Sequence, residues 1–463
     1  MPIRICFDYA NALHDRVGDQ GLSPGQLDKS AAAAAVEAFR GRVVSGEVGF
    51  PNLPDDTSVA KAIVEFANDL RPQIDHIILV GIGGSALGPY AVDVALRGPH
   101  PLQPAPSRKA GPRLVVLDNV DPGLITAALE RVNPRRAAVC VIAKSGSTAE
   151  TLSTFLIVRA WITKALGKRA RSRIVAITGP DKGDLLAIAK EEKYPLFFVP
   201  ENIGGRYSVL CPVGLVPAAL CGFDIRAMLR GAGDANQLCW ERDPGRNPAL
   251  AAAQVHVALD RHRHKSIEIV FAYSSFLWGM AFWYRQLWAE SLGKRVDRSG
   301  RVVNNGQTPV AALGVTDQHS QVQLYMEGPN DKMLTFWGVD KLVPLRIPRD
   351  LAKYDSCGYL GGKKLGDLFH AELRATEAAL TEAGRPNCRW MLPQVDAYNL
   401  GAFLQMLEFQ TAFAGELYGV DAFDQPGVEL AKKLTYGLMG RKGFESFAAP
   451  THPAPDSCRH PRW

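Results

Sequence analysis

Residues 138–152 read Ala138-Val139-Cys140-Val141-Ile142-Ala143-Lys144-Ser145-Gly146-Ser147-Thr148-Ala149-Glu150-Thr151-Leu152. The first six form an apolar run, rich in Val and Ile, of the kind that a parallel strand buried on both faces requires. The chain then breaks into small hydroxylated residues around Gly146, and from Thr148 to about Leu166 its apolar residues recur with helical period. A strand, a tight loop and a helix start therefore follow one another. The first N–H groups of a helix have no intrahelical partner and carry the positive end of the peptide dipoles, so such a loop offers an anion site. Ser145, Ser147, Thr148 and Thr151 add hydroxyl donors. The competing reading is an ordinary cap, because Ser147-x-x-Glu150 fits a capping box. A cap needs one hydroxyl, however, and four lie within the seven residues 145–151. Phosphate is the anion that this pattern suits.

Strand and helix signals alternate on either side of this unit. Strands are expected at 76–80, 114–118, 138–143, 173–178 and 195–199, which predicts a parallel sheet with helices on both faces. A second α/β half is expected from 267–273, with further strands at 308–313, 333–339 and 342–347. Helical patterns follow at 365–383, 397–420 and 426–439. The Pro-rich stretch 98–112 reads as a surface loop. At 463 residues the chain is too long for one ordinary core. The expected divisions are 1–70, a helical lead-in packing on the first half; 71–220, the first α/β domain; 221–447, the second with its C-terminal helices; and 448–463, a loose tail.

The charge balance is a modest +6, with no Lys-rich tail or Arg-aromatic block, so no nucleic-acid partner is expected. The eight cysteines include no C-x-x-C pair, and Cys140 and Cys211 sit in apolar runs. That usage points to reduced thiols and a cytoplasmic location. The histidines do not cluster with the cysteines, so no metal is expected, and Arg261-His262-Arg263-His264 reads as a solvated basic turn. The start of the chain lacks an apolar core of signal-peptide length. The uncharged stretches near 208–222 and 269–284 are too short to span a bilayer, so no membrane partner is expected.

Five further stretches carry possible chemistry. Gly81-Ile82-Gly83-Gly84-Ser85-Ala86 follows a strand and fits a dinucleotide fingerprint, but Asp118, the next candidate ribose acid, lies well beyond the usual spacing of about 20 residues. Gly84 and Ser85 suit a close approach to a sugar phosphate equally well. Gly204-Gly205-Arg206 lets backbone approach a ligand and sets a fixed positive charge beside it; a glycine turn with a solvated arginine is the ordinary alternative. Gln286 and Glu290, four apart, share a helix face among Trp288, Leu287 and Leu292, and an apolar setting makes a carboxylate a better base near neutrality. The alternative is a surface Glu290–Lys294 pair. His319, at the start of a helical run, suits proton transfer on sugar oxygens or a merely structural role. Lys432, beside Lys433, reads by itself as part of a solvated face.

Taken together, IGGSALGP (82–89), KSGSTAET (144–151), GGRYSVL (204–210), WAESLGK (288–294), DQHSQ (317–321) and FDQPGVELAKK (423–433) resemble the glucose-6-phosphate isomerase family, in its compact bacterial form. The resemblance implies two sugar-isomerase (SIS-type) three-layer αβα domains, each with a mostly parallel sheet between helices. It implies a cytoplasmic homodimer without metal or cofactor that interconverts glucose 6-phosphate and fructose 6-phosphate in glycolysis and gluconeogenesis. By position, Gly84, Ser85, Lys144, Ser145, Gly146, Ser147, Thr148, Ala149 and Thr151 correspond to the phosphate site, and Gln286 to a substrate contact. Glu290 corresponds to the base moving a proton between C1 and C2, and Arg206 to the group stabilising the enediolate. His319, from the partner subunit, and Lys432 correspond to the pair serving ring opening. Many relatives have serine in place of Ala143. A nicotinamide oxidoreductase and a non-catalytic sugar-phosphate-binding regulator are the competing classes; the second has no need to keep Glu290, His319 and Lys432 together.

Overall fold

Both faces of the 138–143 segment are covered, as its composition requires. In the computed structural model, which describes residues 3–99, 103, 105–107, 110–146 and 148–448, this segment lies at the centre of a five-stranded sheet. The strands among the described residues are β1 (Cys6–Asp8), β2 (His76–Val80), β3 (Arg113–Leu117), β4 (Ala137–Ala143), β5 (Ile174–Thr178), β6 (Leu196–Phe198), β7 (Ile267–Ala272), β8 (Lys294–Val296), β9 (Val302–Asn305), β10 (Thr308–Leu313), β11 (Lys332–Val339) and β12 (Asn387–Leu392). The first large sheet has the order β3-β2-β4-β5-β6 and is parallel throughout. Val139, Val141 and Ala143 of β4 face Phe155, Val158 and Ile162 of the helix Ala149–Leu166. Ala138, Cys140 and Ile142 are equally buried on the opposite face. Alternate side chains of a strand point to opposite faces, so a strand enclosed by helices must be apolar at every position.

The second large sheet has the order β1-β12-β11-β7-β10, parallel except for β1, which pairs antiparallel with β12. Ile269, Phe271, Leu334 and Phe336 face the helix Leu365–Glu382 through Leu373 and Leu380. The other face meets the helices Trp278–Leu292 and Ala397–Tyr418, where Trp337 packs edge-on against Tyr284 and Phe403. Strands β8 and β9 form a separate two-stranded ribbon.

Three expectations need adjustment. The N-terminal segment, read as a cover for the first half, gives β1 to the edge of the second sheet. Residues 342–347 form no strand: Arg346 makes an isolated bridge to Lys364, and Val343 and Leu345 are exposed. Pro344 removes a ladder donor from that run, and Pro348 stops it immediately afterwards. The strand at 387–392, not anticipated, forms instead, with Cys388, Trp390 and Leu392 buried at alternate positions. Arg389 interrupts its apolar pattern because it reaches the sheet edge to pair with Glu377 and Asp8.

Met1–Ala422, which holds both large sheets, is one compact unit and Phe423–Trp463 a second. The described part of the second unit contains the helix Glu429–Leu438 and the turn Glu445–Phe447. The tail from 449 onward lies outside the described residues. No helix among the described residues is long and apolar enough to cross a membrane.

Candidate active site

Connections from β2 and β4 leave the first sheet in opposite directions, since β3 flanks β2 on one side and β5 flanks β4 on the other. Such a switch point opens a crevice at the carboxyl ends of the two strands, the usual ligand position in an open parallel sheet. The loops 81–85 and 144–148 therefore emerge side by side. Gly84 begins a helix, and a Cβ on it would overlap the Gly205 carbonyl. Only glycine permits that approach, which brings the 81–85 loop against the backbone leading into Arg206. Gly146 has φ +66, and a Cβ there would lie 2.8 Å from the Gly183 Cα. Gly146 is thus fixed as glycine by both backbone conformation and space.

Lys144 turns back across this crevice. Its Nζ donates to the carbonyls of Glu201 (2.7 Å) and Ile203 (2.8 Å), joining the loop after β4 to the approach of Gly204-Gly205-Arg206. Desolvation holds its amine below the ordinary lysine value, against the opposing charge of Glu201. The helix Ala149–Leu166 starts on Thr148, whose side chain makes no capping bond; its Oγ1 lies 3.3 Å from Ser145 Oγ. Ser145 is exposed and Thr148 half-buried, while Thr151 is buried in the first turn. Ser147, expected as the cap or a phosphate donor, lies outside the described residues.

The second group of residues comes from the helix Trp278–Leu292. Tyr284, Leu287, Trp288 and Ser291 recur every three or four residues and face inward. Gln286 and Glu290 occupy another face, and Gln286 Nε2 donates to Glu290 Oε2 at 2.9 Å. Arg206 Nη1 stands 3.4 Å from Glu290 Oε1. The arginine side chain is only 2% exposed whereas that of Glu290 is 28% exposed, so the carboxylate can be reached from outside while the guanidinium is a fixed charge behind it. Arg206 is held from three directions: Nε donates to Ser291 Oγ (2.7 Å), Nη2 to the Ala422 carbonyl (2.6 Å), and its plane lies near the Tyr207 ring. Tyr207 OH lies 3.0 Å from the same Ser291 hydroxyl. Gly83, the residue before the first-sheet helix, brings the 81–85 loop to this helix, since a Cβ on it would meet Gln286 Nε2. Lys294 is buried and donates to the Glu290 carbonyl at 2.8 Å, closing the helix end.

Arg206, Gln286 and Glu290 thus form one bonded cluster, and Gly83, Gly84 and Lys144 bring both first-sheet loops toward it. His319 does not join that cluster within the chain. It is exposed at the end of the turn Thr316–His319, and its ring makes no hydrogen bond or ion pair among the described residues. Lys432 lies in the second compact unit, exposed, with Nζ 2.7 Å from Glu429 Oε1. Sequence reasoning missed Ser291 and Tyr207. The signal for Ser291 was present: it follows Tyr284, Leu287 and Trp288 at helical spacing, so its hydroxyl falls on the buried face. No group of three or more His, Cys, Asp or Glu residues able to hold a metal ion is found among the described residues.

A family model described as phosphoglucose isomerase matches residues 65–338 and 368–445. A glucose-6-phosphate isomerase of Carboxydothermus hydrogenoformans is 43% identical, the alignment covering 95% of each chain. Among solved structures, a hypothetical protein of Thermus thermophilus superposes with a TM-score of 0.83 at 37% identity, over 94% of this chain and 100% of that one. A glucose-6-phosphate isomerase of Chlamydia trachomatis shares the fold, with a TM-score of 0.73 at 23% identity over 83% of this chain and 73% of its own.

Proposed function

The chain belongs to the phosphoglucose isomerase family and interconverts glucose 6-phosphate and fructose 6-phosphate, a step of glycolysis and gluconeogenesis; from that premise we propose that Glu290, Arg206 and Gln286 form the reacting half of its active site. The observation that carries this reading is the contact of Glu290 with both Arg206 and Gln286, on a carboxylate that remains accessible. In the open-chain aldose, the Glu290 carboxylate takes the proton from C2. The C2–H electron pair becomes the C1=C2 bond, and the C1 carbonyl oxygen takes the negative charge, which the Arg206 guanidinium stabilises. Glu290 then returns the proton to C1, and the C2 hydroxyl becomes the carbonyl as its proton passes to O1. The redox change is internal to the sugar. Gln286 orients the carboxylate.

The loop Lys144–Ala149, with Thr151, Gly84 and Ser85, is our proposed anchor for the phosphate, whose binding energy positions the reacting carbons. His319 and Lys432 are proposed to serve ring opening. We further propose a cytoplasmic homodimer in which His319 completes the partner subunit's site, with domains at 71–220 and 221–447. Solvent exchange tests the base assignment directly. In heavy water the enzyme should wash deuterium into the transferred position of the sugar, read by proton NMR, and Glu290→Gln should lose exchange and isomerisation together. Exchange persisting at the wild-type rate in that variant would move the base elsewhere.

A further inference from the structure

At the opposite end of the first sheet, three turns precede three neighbouring parallel strands. Arg71–Gln73 leads toward β2, Pro134–Arg136 into β4 and Gly167–Arg173 into β5. Because these strands lie side by side and start at the same edge, two basic stretches distant in sequence converge there. One holds Arg131, Arg135 and Arg136, and the other Lys168, Arg169, Arg171 and Arg173. Neither is long enough to stand out in the sequence, and the modest overall charge conceals their meeting.

At several other places arginines are matched by acids: Arg42 with Asp421, Arg97 with Asp93, Arg298 with Glu416, Arg389 with Glu377. Here the nearby Asp75 is already engaged by both Arg136 Nε (2.9 Å) and Nη2 (2.6 Å). Arg135, Arg169 and Arg173 have no acidic partner among the described residues. Together with Gln73, Leu166 and Ser172 they line a cleft of about 340 Å³. Arg173 is oriented rather than loose: Nη1 donates to the Gln73 carbonyl (3.0 Å) and Nη2 to Gln73 Oε1 (3.1 Å). Desolvation and the neighbouring Arg136 and Arg169 hold its guanidinium below the ordinary arginine value, so the cluster repels itself in the absence of an anion.

We propose that this cleft is a second anion site, distinct from the catalytic crevice, and that it takes a small polyphosphate, free or as the phosphate chain of an ester. Guanidinium forks match phosphate oxygens in geometry and charge. Three of them around a volume at the low end of ligand pockets, which start at about 300 Å³, call for several negative charges close together. Leu166 is the one apolar side chain of the lining, so the wall recognises charge rather than a ring. The seven residues of β4 separate this end of the sheet from the catalytic loops, a distance of about 23 Å at 3.3 Å per residue. Both sites can therefore be occupied at once.

Titration calorimetry on the full chain tests this in 0.15 M salt, with 5-phosphoarabinonate saturating the catalytic crevice. Tripolyphosphate should bind once per chain. Binding should weaken at least tenfold in the double variant Arg169→Ser/Arg173→Ser and measurably in Arg135→Ser, whose exposed side chain makes no hydrogen bond among the described residues. Arg226→Ser, a charge-matched change outside the cleft, should leave it as it was. ATP binding more tightly than tripolyphosphate would mark an ester as the ligand, and the reverse order free polyphosphate. Absence of saturable binding, loss of binding when 5-phosphoarabinonate is added, or wild-type affinity in both the Arg135→Ser and the double variant would overturn the assignment.

Discussion

Arg206 and Glu290 sit in a lattice of buried bonds, whereas His319 and Lys432 are exposed side chains. The first pair draws on four separate segments: Ser291 and Gln286 on one helix, Tyr207 beside the arginine, the Ala422 carbonyl, and the loop at Gly83–Gly84. The turn that carries His319 is itself well fixed, since Asp317 Oδ2 accepts from the Leu313 N–H at 2.7 Å and Gln318 Nε2 donates to Tyr273 OH at 2.6 Å. Its imidazole nevertheless gains nothing from that order. Groups that must stabilise developing charge benefit from being fixed before the substrate arrives. A group completed from elsewhere needs only a rigid base to project from. The contrast therefore supports a site in which the proton-transfer half is preformed within one chain and the ring-opening half is completed by a second chain.

The most severe way to break the preformed half is Glu290→Gln. It keeps the shape and the hydrogen bond to Gln286 but removes the base, and general bases contribute roughly 10²–10⁴-fold. The kcat in a coupled fructose 6-phosphate assay should fall by at least about 100-fold, while affinity for 5-phosphoarabinonate changes much less. Retention of more than about a tenth of wild-type kcat would sink the assignment.

The other half is sharpened by mixing. His319→Ala and Glu290→Gln should each be nearly inactive. If His319 serves the partner's site, each hybrid dimer carries one intact site, and random exchange of equal amounts should restore about a quarter of wild-type activity. No recovery, with exchange verified by mass spectrometry, would put His319 in its own chain's site and remove the contrast drawn above.

A smaller effect is expected at Ser291→Ala, which leaves Glu290 untouched but strips the buried Arg206 Nε of its acceptor. A hydrogen bond to a charged group is worth about 1.5–3 kcal/mol, so kcat should fall roughly 10–150-fold with KM little changed. Ser291→Thr keeps the hydroxyl and should recover part of the loss. An unchanged kcat in Ser291→Ala would mean that the buried lattice does not set the position of Arg206.

The sequence made the preformed half legible to the extent that periodicity reports burial. The apolar run 138–143 identified a strand enclosed on both faces, and the spacing of Gln286 and Glu290 put them together on one helix face. It could not say that Lys294, also four residues from Glu290, turns to the backbone carbonyl, because spacing fixes a shared face but not the atom a long side chain reaches. Residues 342–347 misled for a related reason: apolar content is necessary for a strand, yet Pro344 takes a ladder donor out of that run and Val343 is left without cover. The basic cleft was invisible because its arginines come from turns some 30 residues apart and meet only through the parallel pairing of β4 and β5.

The mildest change falls on the phosphate anchor. Thr148 precedes the first helical residue, and its side chain is not used to cap the helix. With Ser145 Oγ only 3.3 Å away, the two hydroxyls face the same space at the mouth of the 144–148 loop. Thr148→Ala removes one of several donors from a half-buried position where water can substitute, so the loss should lie at the low end for a charged hydrogen bond, about 1.5 kcal/mol. That corresponds to a rise in KM for fructose 6-phosphate of roughly tenfold, with kcat nearly constant, since phosphate contacts bind ground and transition states alike. Adding Ser147→Ala should raise KM further. The effect should vanish with fructose lacking the phosphate, whose slow turnover the variants should match to wild type. If the double variant kept the wild-type KM, the anion would be held elsewhere, and the preformed half of the site would reduce to the Arg206–Glu290 cluster alone.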